Sequence, residues 1–123
     1  MRRDDADRAD RRQPVWPCIE QLTTRRKVWF EREGELVIGE GGFDLLDAIA
    51  STGSLTGAAR VIGWSYRHAW GYLRRSERML GDSLTKTRAG KGSRRGVQLT
   101  ATARHLMAAA RRAGWCRHNT ARL

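Results

Sequence analysis

The sequence predicts a mainly helical α+β fold, because three features follow one another along the chain. Two amphipathic segments, 54–62 and 65–80, flank a tight turn that contains glycine. A basic, glycine-rich segment between two strand-like runs comes next, and another amphipathic segment begins at Thr100. Two helices joined by a glycine-containing turn form a helix-turn-helix, to which the following β-hairpin adds a wing. We therefore expect a winged helix-turn-helix, preceded by an N-terminal β-hairpin.

The helix-turn-helix is predicted by the spacing of its apolar residues and by its caps. Four residues share one face of the first helix at i, i+3, i+4 and i+7: Leu55, Ala58, Ala59 and Ile62. Ser54 can cap this helix, and Gly63 can end it in a left-handed conformation. Ser65 can then cap a second helix, whose inner side carries Ala69, Leu73 and Leu80.

Two elements are expected before the motif. Residues 27–31 and 35–38 read as strands of a hairpin, and alternation predicts a core-facing set of four residues: Val28, Phe30, Leu36 and Ile38. Residues 43–52 read as a helix that ends at Gly53, with four residues on its inner face: Phe43, Leu46, Ile49 and Ala50. Asp44 would lie in the first turn of that helix, where the helix dipole favours an anion.

The elements after the motif complete the predicted domain. Residues 84–88 and 96–99 read as the two wing strands, and Thr100 can cap a last helix with one apolar face, formed by Ala103, Leu106, Met107 and Ala110. A chain of 123 residues with 40% hydrophobic residues suits one small domain. We expect that domain over 26–113, between a largely disordered N-terminal tail, 1–25, and a C-terminal tail, 114–123.

Positive charge is concentrated in the second half of the motif. The net charge of the chain is +11, whereas residues 35–64 carry −3, residues 65–80 carry +3 and residues 81–100 carry +4. A basic helix followed by a basic hairpin is typical of a protein that binds a polyanion, and double-stranded DNA is the partner we expect.

Other classes of protein are disfavoured. The charged N-terminus lacks an apolar signal segment, and no apolar run is long enough to span a membrane, so we expect a cytoplasmic protein. Cys18 and Cys116 stand near opposite ends and are expected to be free thiols. Residues 89–93, AGKGS, do not satisfy the phosphate-loop pattern, and no arrangement of catalytic or metal-ligating residues is visible. We expect neither an enzyme nor a cofactor.

Taken together, the segments 43–70 (FDLLDAIASTGSLTGAARVIGWSYRHAW) and 87–100 (TRAGKGSRRGVQLT) and the helix start TATARHLM resemble one family. They are similar to the N-terminal DNA-binding domain of the molybdate-responsive regulators, the ModE family, whose winged helix is of the LysR type. The resemblance covers about 27–113 and implies a homodimeric DNA-binding transcription regulator. Family members carry molybdate-binding domains after this domain, so we expect a stand-alone version without a molybdate site in this chain.

The second helix of such a motif lies in the major groove with its N-terminal residues at base edges. The predicted DNA-binding residues are Ser65, Tyr66, Arg67, Trp70, Arg74, Arg75, Arg78, Lys86, Arg88, Lys91, Arg94 and Arg95. Among them, Arg67 is the candidate for a bidentate contact to guanine, Ser65 and Tyr66 for phosphate or base edges, and the remaining basic residues for phosphates.

Alternatives remain for individual residues and for the function. An arginine-rich helix face is often merely solvated, Tyr66 and Trp70 could pack in the core, and Lys86 could point away from DNA. The sequence favours the function of a DNA-binding transcription regulator. Two other functions remain: a non-specific nucleic-acid or RNA-associated binding module, and a protein-interaction adaptor that binds no DNA.

Overall fold

The computed structural model describes residues 17–88, 96–117 and 120–122. Its helices are α1 (Pro17–Glu20), α2 (Glu40–Thr52), α3 (Leu55–Ile62), α4 (Tyr66–Leu80) and α5 (Ala101–Arg112). Its strands are β1 (Thr23–Arg25), β2 (Phe30–Arg32), β3 (Glu35–Ile38), β4 (Thr85–Arg88), β5 (Gly96–Leu99) and β6 (Thr120–Arg122). The strands form three antiparallel pairs, β1 with β6, β2 with β3 and β4 with β5. The order of helices and hairpins is that of a winged helix-turn-helix, as the sequence predicts.

Helix α2 lies at the centre of the core and packs against α3, α4, α5 and β5. The helix begins at Glu40, three residues before the predicted start, so Gly41 and Gly42 belong to its first turn. Both glycines are covered by rings. A Cβ on Gly41 would lie 2.8 Å from Trp64 Cζ2, and one on Gly42 would lie 2.6 Å from Tyr72 Cε1. The glycines allow close approach of these rings, and the helix continues through them.

The buried face of α2 is wider than predicted. Phe43, Leu46 and Ile49 are buried as expected, and Leu45 and Ala48 are buried too, whereas Ala50 is exposed. The prediction for Ala50 is wrong because the buried side of α2 is centred nearer to Leu45 and Ile49 than the predicted stripe is, which places Ala50 at its edge in the last turn of the helix. The expected place of Asp44 is also wrong, since the earlier start puts Glu40 in the first turn.

The hairpin β2–β3 turns through Glu33 (φ 50°) and Gly34 (φ 83°), the two positive φ values that a type I′ turn needs. Its register shifts between Phe30, which pairs with Ile38, and Glu31, which pairs with Leu36. This irregularity buries both Val37 and Ile38 and leaves Leu36 exposed. The predicted inward position of Leu36 is therefore wrong. Strand β2 also begins later than predicted, although Val28 before it is buried.

The caps predicted for the helix-turn-helix are confirmed. The Ser54 hydroxyl accepts a hydrogen bond from the Gly57 N–H at 2.8 Å, and the Ser65 hydroxyl accepts one from the His68 N–H at 3.0 Å. Gly63 ends α3 with φ 78°. The buried Ala58, Ala59, Ala69 and Leu73 confirm the predicted inner faces of α3 and α4.

The wing hairpin is joined to the core through a backbone contact. Thr85 pairs with Leu99 and Arg88 pairs with Gly96, while the Val97 N–H donates to the Gly53 carbonyl at 2.9 Å. A Cβ on Gly96 would lie 2.5 Å from that carbonyl oxygen, so the close approach requires glycine. Helix α5 starts as predicted, because the Thr100 hydroxyl accepts from the Ala103 N–H at 3.2 Å.

The described C-terminal segment packs on the domain through Trp115 and Arg117, whereas the described residues 18–23 near the N-terminus are exposed. Trp115 is buried and meets the ring of Phe43 edge to face, with centroids 5.9 Å apart. The Arg117 Nε lies 2.8 Å from Asp47 Oδ2, and β6 pairs with β1. The pairing of β1 with β6 joins segments at opposite ends of the chain, which no local sequence pattern indicates.

The glycine contacts predict opposite effects for two alanine substitutions. Gly42→Ala places a methyl group against Ile38 and Tyr72 and should destabilise the fold by about 1–3 kcal/mol. Gly71→Ala meets nothing within 4 Å in the middle of α4 and should stabilise it by roughly 0.5–1 kcal/mol. Urea unfolding of both variants measures the difference. Equal effects of the two substitutions would contradict the proposed close packing at Gly42.

Asp82 predicts a pH-dependent contribution to stability. Its carboxylate accepts hydrogen bonds from the Thr102 hydroxyl and the Ser83 N–H, and these bonds lower its pKa below the usual 3.8. A carboxylate with a lowered folded-state pKa stabilises the fold above pH 3.8 and loses that contribution as the pH falls through the folded pKa. Asp82→Asn should therefore lower the melting temperature at pH 7. Below pH 4, the difference in melting temperature between this variant and the wild type should become smaller.

Thermal unfolding followed by circular dichroism from pH 7 to pH 2.5 measures this effect. Thr102→Val is the matched variant, because it removes the hydroxyl that donates to Asp82 and leaves the carboxylate in place. A melting-temperature difference for Asp82→Asn that stays constant over this range would show that the charge of Asp82 contributes nothing.

Candidate nucleic-acid interface

Helix α4 presents one long exposed face on the side opposite its core contacts. At 3.6 residues per turn, Arg67, Arg74 and Arg78 share the centre of this face, and all three are exposed. Ala69 and Leu73 lie on the opposite side and are buried. The fold therefore fixes the helix through its inner side and leaves a row of arginines facing outward.

The two rings at the start of this face are not in the core. Tyr66 is 53% exposed and Trp70 is 46% exposed. Ser65, just before them, is exposed as well and carries the cap described above. Both rings are thus accessible to a partner, although neighbouring side chains cover about half of Trp70. The contact of Trp70 with DNA stays a prediction.

The arginines of α4 differ in the partners they already have. Arg74 Nη1 lies 2.9 Å from Glu77 Oε1, and the guanidinium of Arg74 lies 5.5 Å from the centre of the Trp70 ring. Arg75 Nη2 donates to the Leu36 carbonyl at 3.4 Å, which directs it toward the hairpin β2–β3. Arg67 and Arg78 make no hydrogen bond or ion pair with any residue in the described part of the chain.

The described stem of the wing carries two exposed basic residues, Lys86 and Arg88. They alternate with Thr85 and Thr87 along β4, so both lie on the same face of the hairpin. The guanidinium of Arg88 lies beside Gly53, since a Cβ there would be 3.6 Å from both of its Nη atoms. Three predicted residues, Lys91, Arg94 and Arg95, lie outside the described residues.

An aromatic cluster that the sequence did not predict fixes the N-terminal half of α4. The ring of Trp64 lies 4.3 Å from that of His68 and 5.3 Å from that of Tyr72, between centroids. The Tyr72 hydroxyl accepts from the Gly39 N–H at 2.9 Å, which satisfies a donor just before α2. The i, i+4 spacing of His68 and Tyr72 is the signal that could have indicated the cluster.

Glu77 is a second residue that the sequence did not single out. It is only 9% exposed although it stands on a helix that carries four arginines. Its Oε2 accepts from the Leu84 N–H at 2.8 Å, at the foot of the wing, while its Oε1 holds Arg74. One buried carboxylate therefore joins α4 to the wing.

Features of a metal site or of a membrane-spanning helix are absent from the same part of the chain. Within residues 17–88, 96–117 and 120–122, no three His, Cys, Asp or Glu side chains lie together as a metal site would require. Cys18 and Cys116 are both exposed free thiols. None of the described helices has the length and apolarity needed to cross a membrane.

Comparison with known proteins agrees with this arrangement. The model of the bacterial regulatory helix-turn-helix protein family, lysR family, matches residues 42–104, which is half of the chain. The molybdenum transport protein ModE of Herbaspirillum seropedicae is 41% identical over 66 residues, 54% of this chain and 24% of that protein. The chain thus spans about a quarter of the length of this relative.

A solved chain from the crystal structure of a complex of the CbnR DNA-binding domain with DNA is also similar, with 27% identity and a TM-score of 0.47. The alignment covers 58% of this chain and 76% of that chain.

The family match begins in α2, contains the helix-turn-helix and the wing, and ends in α5. These are the elements that position the exposed arginine face. The chain belongs to the lysR family of bacterial regulatory helix-turn-helix proteins, and it is ModE-like over about half of its length.

Proposed function

We propose that this chain is the DNA-binding domain of a transcription regulator and that it reads the major groove of DNA with the N-terminal half of α4. The observation that carries the proposal is Arg67, which is exposed, has no hydrogen-bond or ion-pair partner among the described residues and lies in the first turn of α4, whose inner side packs on the core. An arginine in that setting has its full set of donors available for the O6 and N7 atoms of guanine. Ser65 and Tyr66 flank it and are suited to phosphate or base edges.

The phosphate contacts in this proposal come from the end of α4 and from the wing. Arg78 and Arg75 lie further along the helix, and Lys86 and Arg88 are exposed on one face of β4. The sequence places three further positive charges at the tip of the wing, on Lys91, Arg94 and Arg95. Such contacts strengthen binding to every duplex and make it depend on salt, because each neutralised phosphate releases counterions.

The protein is proposed to act in the cytoplasm as a homodimer, without enzymatic activity and without a cofactor. A single helix-turn-helix contacts few base pairs, and a two-fold dimer places its recognition helices about 34 Å apart on one side of the duplex. The apolar stripe of α5 supports the dimer, because Leu106 at the edge of this stripe is only partly buried.

The name of the ModE relative supports target genes of molybdenum transport.

A non-specific nucleic-acid-binding module is the second candidate, and the net charge of +11 favours it. In that case the charged segments would supply the affinity and α4 would read no bases. The two candidates differ in how a single arginine affects different DNA sequences.

Arg67→Ala should relax base preference, since a good bidentate arginine contact contributes about 1–3 kcal/mol of discrimination. We expect weaker binding to a duplex obtained by selection from random DNA and little change on a random duplex, measured by fluorescence anisotropy. The matched variant Arg94→Ala/Arg95→Ala should weaken both duplexes alike and reduce the slope of log K against log salt by about 2. Equal losses on every sequence from both variants would refute the base-reading role of Arg67.

The dimer predicts a stoichiometry. Sedimentation analysis with a duplex carrying two selected half-sites, spaced about 10 base pairs between centres, should give two protein chains per duplex. Increasing this spacing by 5 base pairs rotates one half-site to the opposite side of the duplex and should weaken binding. One chain per duplex at micromolar protein, with no effect of spacing, would rule out the dimer.

A further inference from the structure

A buried carboxylate lies where α4 and the wing meet. Glu77 points inward from α4, and each of its oxygens has a partner. Oε1 binds Arg74 at 2.9 Å and Oε2 accepts from the Leu84 N–H at 2.8 Å. Leu84 is itself buried and directly precedes β4. Glu77 thus contacts a residue of the arginine face and the foot of the wing at once.

The same contact restricts the guanidinium of Arg74. Nη1 is bound to Glu77, and the Trp70 ring lies 5.5 Å from the guanidinium carbon. The side chain is 49% exposed, so the plane of the guanidinium is held while part of it faces solvent. Arginine has five N–H donors in a rigid fork, so the edge away from Glu77 still offers donors to a partner.

We infer that Glu77 is a positioning residue for DNA recognition, which holds Arg74 as a second base-reading side chain beside Arg67. Arg74 follows Arg67 by seven residues, which is about 10 Å along the helix axis and close to the length of three base-pair steps. The inference rests on the proposed reading of the major groove by α4. It replaces the expected phosphate contact of Arg74 by a contact to a base edge.

Charge supports this division of roles. The carboxylate of Glu77 offsets the charge of Arg74, so the pair adds less to non-specific attraction than Arg78, which has no partner in the described part of the chain. An oriented donor edge, in contrast, discriminates between bases because it needs a matching acceptor pair. The arrangement of Arg74 suits specificity more than general affinity.

Glu77→Gln separates the roles of the two oxygens. The amide oxygen of glutamine can still accept from the Leu84 N–H, whereas its NH₂ group cannot accept from Arg74. A purely electrostatic role predicts tighter binding to all duplexes, because the substitution removes a negative charge close to DNA. A positioning role predicts weaker binding to the selected duplex alone.

The experiment measures affinities of the full chain for a selected and a random duplex at one salt concentration. We expect Glu77→Gln to bind the selected duplex at least five-fold more weakly and the random duplex at least as tightly as before, so that the ratio of the two affinities falls. Arg74→Lys keeps the charge and the Glu77–Leu84 contact and should lower the ratio similarly. Arg78→Lys is the matched control and should leave the ratio unchanged.

The double variant Glu77→Gln/Arg74→Lys should lower the ratio no further than Arg74→Lys alone, since Glu77 acts through Arg74. Melting temperatures show whether each variant is folded, and Arg74→Lys decides the matter if Glu77→Gln is not. An unchanged ratio in a folded variant of either kind overturns the inference while the proposed function stands. A wild-type chain that does not discriminate between the duplexes overturns both.

Discussion

The position of the recognition helix α4 depends on the packing of two rings over two glycines. Trp64 and Tyr72 occupy the space that side chains at Gly41 and Gly42 would fill at the start of α2. The Tyr72 hydroxyl also accepts a hydrogen bond from the Gly39 N–H, so the ring is bonded to the start of the central helix as well as packed against it. Interiors are packed densely enough that such a fit has few alternatives. The N-terminal half of α4 is consequently held at one distance from α2.

The other end of α4 is held by polar contacts. Glu77 binds the Leu84 N–H, and Arg32 Nη1 donates to the Met79 carbonyl at 3.2 Å from the hairpin β2–β3. Both contacts lie off the exposed arginine face. The helix is thus fixed from its inner side and its flanks, and the outward residues Arg67 and Arg78 carry little of the fold. Substitutions there should therefore report on binding with little disturbance of stability.

Local features of the fold could be predicted from the sequence because they depend on few neighbouring residues. Ser54, Gly63 and Ser65 delimit α3 and α4 through caps and a left-handed turn, each within a few positions. Leu36 was misplaced because a shift in strand register reverses the alternation.

The earlier start of α2 escaped prediction for a different reason. In the sequence, Gly41 is typical of a residue that interrupts a helix. It belongs to α2 because the ring of Trp64, more than twenty residues later, packs against it. Similarly, the pairing of β1 with β6 joins segments about a hundred residues apart, beyond any local pattern.

The candidate site divides in the same way. Helical periodicity predicts which side chains of α4 face outward, and the exposed positions of Tyr66 and Arg67 agree with it. The partners of the arginines were not predictable, since the contact from Arg75 to Leu36 crosses 39 residues. The spacing of Arg74 and Glu77 is compatible with an ion pair, but it does not reveal that the carboxylate is buried and shared with the wing.

Partnering also changes how the large positive charge should be understood. Arg111 and Arg117 both lie against Asp47, at 3.6 Å and 2.8 Å, on the side of α2, and Arg74 lies against Glu77. These cations already face an anion within the protein, so a phosphate competes with an existing contact. Among the described cations of α4 and the wing stem, Arg67, Arg78 and Lys86 face no such competition from an acidic neighbour. In the proposed contact with DNA, these unpaired cations therefore contribute more to the attraction than the paired ones do.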